Sequence, residues 1–214
     1  MRGFLAGMIM LAVVAGGLDL ALTRAAERRT SEQASALLDA PATVDLQGWP
    51  VSLRLLLGAV PVVVVQAENV PTDSGVRLES LGVTLRDVRV RLADLAGGRL
   101  PADARDGMFT AALDRRGVGQ ILGGLVAADA IQLRDGVIGV EVAGALIEAE
   151  VDVDSRGRLV LALVNAPQGL LPRIAVPLPM LPAGTTVQRV TVRDGLLRFE
   201  GVFDPAGLAE LLMA

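Results

Sequence analysis

Two hundred and fourteen residues (22.2 kDa) are enough for one domain with a real core. The chain is 52% hydrophobic but only 2% aromatic, so its interior must be built from Val, Leu, Ala and Ile, and its composition excludes disorder. All 20 basic residues are arginines and His, Cys, Tyr and Lys are absent. This excludes disulfides, imidazole or thiolate metal sites, Schiff bases, thiol nucleophiles and P-loop lysines, and the net charge of −4 with almost no aromatic rings speaks against a nucleic-acid partner.

At the amino terminus, residues 3–18 carry no charge; Asp19 follows, and then four more uncharged residues precede Arg24. This is a membrane-directed helix. Spanning a bilayer takes ~20 apolar residues, a length reached only if Asp19 sits in the interface. Residues 1–22 therefore read as a retained anchor, a cleaved secretory signal or a merely buried helix, and the first two place the rest of the chain outside the cytoplasm, membrane-anchored or in the periplasm or cell wall. Arg24, Arg28 and Arg29 follow the segment and Arg2 precedes it, so charge leaves the topology open. Residues 23–40 have helix-forming composition ending at Asp39-Ala40-Pro41 and read as a polar helical stalk. From residue 31 onward 16 arginines face 22 acids, a charge of −6 that will not hold the domain to anionic lipid.

Beyond residue 41 the dominant period is two. Val60 to Val65 is apolar on both parities and predicts a strand covered on both faces. Leu81 to Leu92 alternates with Val83 and Leu85 on one parity and Val88, Val90 and Leu92 on the other, which predicts a bulge at Arg86-Asp87. Asp135-Gly136 marks a hairpin within residues 131–142, Ser155-Arg156-Gly157 a second within 147–164, and Asp194-Gly195 a third within 187–203. Two helices interrupt the strands, one from Asp114 to about Ala127 and one opening at Asp204 with Pro205 in its first turn. Phe109 to Leu122 matches Phe199 to Leu212 at a constant offset of 90, with Phe, Asp, Gly and an apolar pair recurring in place, so a strand followed by an Asp-capped helix reads as a duplicated unit. Residues 166–184 hold five prolines among apolar residues and read as neither strand nor helix, either a cover over the core or an insert into something apolar.

Little here carries chemistry. Glu148, Glu150, Asp152 and Asp154 share one parity of a strand, a pattern that fits a cation site but fits a solvated face better. A glycosidase pair would need its carboxyls facing across ~5 Å, which one strand face does not supply. Gly117, Gly119, Gly123 and Gly124 lack the strand-helix-strand context of a dinucleotide loop and read as permitting close helix packing. The six serines have no histidine partner, so the chain reads as a non-enzyme with no metal or cofactor.

Leu46-Gln-Gly-Trp-Pro50, Leu55-Leu-Leu-Gly58, the valine run, Ala67-Glu-Asn-Val-Pro71 and residues 81–92 resemble the LmeA family of actinobacterial phospholipid-binding envelope proteins, as do Leu178 to Gly184 and Val190 to Gly201. Trp49 stands where that family usually has Phe. The resemblance implies an α+β fold of the tubular lipid-binding (TULIP-like) kind, in which a long twisted antiparallel sheet wraps helices, here over residues 41–214. It also implies a non-catalytic phospholipid binder linked to lipomannan elongation, with an envelope glycosyltransferase as a partner. A sheet of small aliphatic residues suits an acyl groove, since each buried CH₂ contributes ~0.8 kcal/mol. The candidate acyl contacts are Trp49, Val62, Val64, Leu85, Val90, Leu178, Met180 and Leu181, and the candidate headgroup contacts are Arg86, Arg89 and Arg91. The competing reading is a packed interaction domain that stabilises a partner enzyme at the membrane, and the two differ in whether the interior holds a cavity.

Overall fold

The computed structural model describes residues 23–36, 38–48, 54, 57–72, 74–89, 104–124, 126–164, 173–178 and 184–205. A helix, α1 (residues 23–36), leads into four strands: β1 (Ala42–Gln47), β2 (Ala59–Pro71), β3 (Arg77–Arg89) and β4 (Asp106–Leu113). A second helix, α2 (Arg115–Ile121), and a 3-10 turn (Ala128–Ala130) separate these from β5 (Ile131–Arg134), β6 (Val137–Val142), β7 (Ala145–Val153), β8 (Leu159–Leu163) and β9 (Arg173–Val176). The chain then returns through β10 (Thr185–Arg193) and β11 (Leu196–Phe203).

The strands form two antiparallel sheets, ordered β1-β2-β3-β4-β11-β10 and β5-β6-β7-β8-β9. The fold is α+β and mostly antiparallel, as the alternation predicts, but with two sheets where one long sheet was expected. The reason lies at β10: its free edge meets the second sheet through packing and a bond from the Gly136 N–H to the Val192 carbonyl (2.9 Å), not through a ladder. Aliphatic residues of both sheets join one core around Leu113, Val118, Ile131, Ile138, Leu159, Leu197 and Phe199.

The β2-β3 ladder explains how these long strands keep one face inward. Its pairs run Val60↔Val88, then Val62↔Arg86, and later Glu68↔Ser80, then Val70↔Leu78, skipping one residue on each strand at both places. Asp87 and Asn69, two of the skipped residues, have φ of 50° and 55°. Each skip flips the parity, so Val60, Val63, Val65, Ala67 and Val70 all face inward, as do Leu78, Leu81, Val83, Leu85 and Val88. The parity change predicted at Arg86-Asp87 is therefore present, but as a break of one residue on both strands that leaves the register unshifted, not as the expected bulge, and a second such break lies at Asn69.

Three further elements depart from the sequence reading. α2 ends at Ile121, not near Ala127. Gly123 and Gly124, at φ of 81° and 69°, close it by donating to the carbonyls of Gln120 and Gly119. Its start is as expected, with the Asp114 carboxylate accepting from the Gly117 N–H at 2.8 Å, a cap contributing ~1 kcal/mol. Gly117 also permits the close packing assigned to it, because a Cβ there would lie 3.0 Å from the Arg77 carbonyl oxygen. The proline-rich stretch contains an edge strand, β9, between Pro172 and Pro177, where proline costs no ladder bond. Pro205 is helical, and the remaining residues of the helix expected from Asp204 lie outside the described residues.

Helix α1 docks along the edge strand β1. Glu27, Ser31 and Ser35, spaced four apart on one helical face, accept from the backbone N–H groups of Leu46 (3.3 Å), Val44 (2.9 Å) and Ala42 (2.8 Å). Four helical residues rise ~6.0 Å and two strand residues ~6.8 Å, so the two repeats match over three bonds. Residues 23–40 were expected as a polar stalk, and the polar stripe of that helix is the surface that closes the sheet edge. Among the described residues no helix is long and apolar enough to cross a membrane.

The internal repeat is visible as symmetry. Thr110 on β4 pairs with Glu200 on β11, and these two positions differ by the same offset of 90 as Phe109 and Phe199 or Asp114 and Asp204. The duplicated strands thus lie side by side about a local two-fold axis through the Thr110–Glu200 pair. Phe109 covers Gly201 and Phe199 pairs with Ala111, so each ring lies opposite a residue small enough to admit it.

Candidate functional site

Most of the inward face of the first sheet is fully buried, but one strip is not. Val65 on β2 and Leu81, Val83 and Leu85 on β3 face the core side yet remain half-buried, as does Phe203 at the end of β11. Along β3 this strip spans Leu81 to Leu85, ~14 Å at strand rise.

A transverse row crosses its lower end. Leu85 pairs with Gly107, Gly107 with Phe203, and Phe203 with Thr185, all on the inward side. The Phe203 ring occupies the space a side chain at Gly107 would take. At the end of the row the Thr185 hydroxyl is buried and has no hydrogen-bond partner among the described residues. A buried hydroxyl without a partner is costly, and native structures leave few of them. An aliphatic strip ending in a phenyl ring and an unused hydroxyl can take an alkyl chain with an oxygen function at one end.

The residues singled out from sequence divide between two faces. Leu85 lies in the strip, and Leu178 is half-buried against the core. Val62 and Val64 are half-buried on the opposite face, opposite Gln47 and Asp45 on β1 and Arg86 and Thr84 on β3. Arg86 and Arg89 are exposed on that same outer face, on either side of the break at Asp87. Trp49, Val90, Arg91, Met180 and Leu181 lie outside the described residues. Val65, Leu81, Val83, Phe203 and Thr185 were not selected from sequence. The parity of Val83 and Leu85 relative to the change at Arg86-Asp87 carries the signal for the β3 members, whereas Thr185 gives none.

Two other features have different chemistry. An open cleft of about 670 Å³ lies where β10 and β11 meet the Asp135-Gly136 turn. Its walls include Arg189, Arg193 and Arg198, with Arg189 paired to Glu200 at 3.4 Å and Arg198 to Asp194 at 3.9 Å. This is a charge-balanced polar surface, unsuited to an acyl chain. The carboxylates of β7 do not gather around a cation, and no group of three metal-binding side chains occurs among the described residues. Asp154 instead ties the β7-β8 turn. Its Oδ1 accepts from the N–H groups of Arg156 and Arg158 (both 2.9 Å), and its Oδ2 lies 2.8 Å from Arg158 Nε and 2.7 Å from Nη2. The Arg158 N–H and guanidinium hold that carboxyl below the usual range.

Residues 13–202 match the family described as LmeA-like phospholipid-binding, a span that covers almost the whole chain and every described strand but the last residue of β11. No curated protein and no solved structure matches the chain.

Proposed function

We propose that this chain, which belongs to the LmeA-like phospholipid-binding family, holds a phospholipid acyl chain along the half-buried strip Val65, Leu81, Val83 and Leu85, with the Thr185 hydroxyl donating to an ester oxygen at its end. It acts without catalysis, as a carrier or sensor of lipid in the cell envelope, tethered or exported through residues 1–22. Extending the resemblance, its lipid supports lipoglycan (lipomannan) assembly alongside a membrane glycosyltransferase. The observation that carries the reading is the row Leu85-Gly107-Phe203-Thr185, in which a buried hydroxyl without a partner among the described residues shares a face with incompletely covered aliphatic side chains. Burying further CH₂ groups against that strip would contribute ~0.8 kcal/mol each.

The test is to purify the full chain in mild detergent and quantify co-purified phospholipid by mass spectrometry. Stoichiometric phospholipid is expected. L85W should remove it by filling the strip, V64W on the opposite face should retain it, and T185V should lower retention without abolishing it. Phospholipid-free protein that takes up none on titration refutes the proposal and leaves a packed interaction domain. Equal loss in L85W and V64W refutes the assignment of the face.

A further inference from the structure

Six large hydrophobic side chains are exposed among the described residues, and two of them, Val142 and Leu146, flank the β6-β7 turn, with Val164 a few residues behind on the neighbouring strand. Val142 (49% exposed) ends β6, Leu146 (40%) is the second residue of β7, and Val164 (50%) follows β8 opposite Glu148. Every residue from 141 to 146 is exposed, and residues 142–147 carry no charge.

The turn at this end breaks the rule followed elsewhere in the chain. Ala143 and Gly144 have φ of 51° and 81°, the two-residue hairpin geometry that favours Asn or Asp first and Gly second. At the matching turn with φ of 55° and 72° the chain uses Asp194-Gly195. An alanine held in the left-handed region gives up local stability, and what it provides is an apex without a polar side chain.

We infer that the β6-β7 hairpin tip, Val142 to Leu146, inserts into the surface of a phospholipid bilayer. Val142 and Leu146 lie on opposite faces of the hairpin, because Val142 pairs with Ala145 while Leu146 pairs with Glu141. A protein partner covers one face of a projecting hairpin, whereas a bilayer surrounds both. Glu141 stands two residues (~7 Å) behind the apex, level with Leu146 on the same face, which sets a shallow insertion that ends at that pair and matches the ~5–10 Å of interfacial elements. That acid, with the acidic balance of the chain, suits zwitterionic headgroups, so anionic lipid should not strengthen docking. The inference rests on phospholipid being the ligand of this fold, and adds the surface through which the domain meets it.

The chain has no cysteine, so a single introduced thiol is a unique probe site. Ala145 and Ser155 flank opposite ends of β7, and both are exposed. Full chains carrying A145C or S155C, labelled with an environment-sensitive fluorophore and reconstituted in phosphatidylcholine vesicles, are read with a quencher borne on the lipid. At least fivefold stronger quenching at A145C than at S155C is expected, and it should disappear when V142D and L146D are added to the A145C chain. A143D should raise Tm, by restoring the preferred turn residue, while lowering the quenching. Equal quenching at the two positions overturns the inference, as does quenching unaffected by V142D/L146D. Phospholipid occupancy measured on the same variants separates the two readings: an empty interior refutes the acyl strip and leaves the quenching contrast to decide docking.

Discussion

Replacing Ser31 and Ser35 with alanine should open the edge of the first sheet without touching its core. Each hydroxyl accepts one N–H of β1, from Val44 at 2.9 Å and Ala42 at 2.8 Å, and both strand residues are buried, so no water stands ready to replace the serine. Leaving one such donor unsatisfied costs about 1–3 kcal/mol. Alanine returns about 0.5 kcal/mol per site as the better helix former. The net for S31A/S35A is then about 3 kcal/mol, taken at the middle of the range, or a Tm lower by roughly 6–12 °C for a domain of this size. Thermal melts of the full chain in mild detergent, paired with hydrogen exchange at the Val44 and Ala42 amides, read both consequences. Both amides should exchange faster, and S31T/S35T, which keeps the acceptor, should recover most of the protection. An unchanged or raised Tm with protection intact would refute the idea that this helix closes the edge through its side chains.

G201A should destabilise far more than G107A. A Cβ at Gly201 would strike the Thr186 carbonyl of the neighbouring strand as well as the Phe109 ring, and backbone cannot give way, whereas at Gly107 it meets only the half-buried Phe203 ring. Overpacking of about 1–3 kcal/mol or more is expected for G201A in chemical denaturation, and less than half of that for G107A. D154N should loosen the β7-β8 turn in a pH-dependent way. Because the folded carboxyl of Asp154 is held below its ordinary value, its contribution is complete above about pH 4 and fades as pH falls through the folded value. The Tm gap between wild type and D154N should therefore be full at neutral pH and close in acid, and a gap that persists or widens in acid would contradict the role given to Arg158.

What the sequence made legible followed from local rules that tertiary contacts did not override. Gly136 in one turn and both Asp194 and Gly195 in the other take the positive φ that those hairpins require, and the break at Arg86-Asp87 showed as a change of parity in an otherwise alternating strand. Its companion at Asn69 was invisible because the preceding run, Val60 to Val65, is apolar at every position and leaves parity undefined. The same degeneracy put Val62 and Val64 among the acyl contacts when their faces could not be told from those of Val63 and Val65. The Ala143-Gly144 turn went unread because alanine is no turn signal, and β9 because prolines flank it on both sides. Thr185 lay beyond any local rule: its missing partner is a property of the assembled row.

The local two-fold axis accounts for where an open strip can exist in this sheet. Across β4, the residues Ala111, Phe109 and Gly107 pair with Leu81, Val83 and Leu85 of β3. The symmetry mates of those β4 residues on β11, Gly201, Phe199 and Leu197, pair with Val187, Val190 and Val192 of β10. Leu81, Val83 and Leu85 are thus the counterparts of Val187, Val190 and Val192. The β10 set is buried and the β3 set only half-buried. The difference follows from the second sheet, which packs on β10 through β7 and β5 and covers that half. A symmetric pair of aliphatic strips would expose more apolar surface than a stable domain tolerates, and covering one half leaves a single strip for a ligand. If that strip holds an acyl chain, the second sheet does two jobs: it fills the twin groove, and its far hairpin, with Val142 and Leu146 exposed on opposite faces, carries the domain to the lipid it takes up. Substitutions at Val187 or Val192 should then lower stability without changing lipid retention, whereas substitutions at Leu81 or Val83 should lower retention first, and comparing melts with lipid content across these four positions distinguishes a groove from a uniformly packed interior.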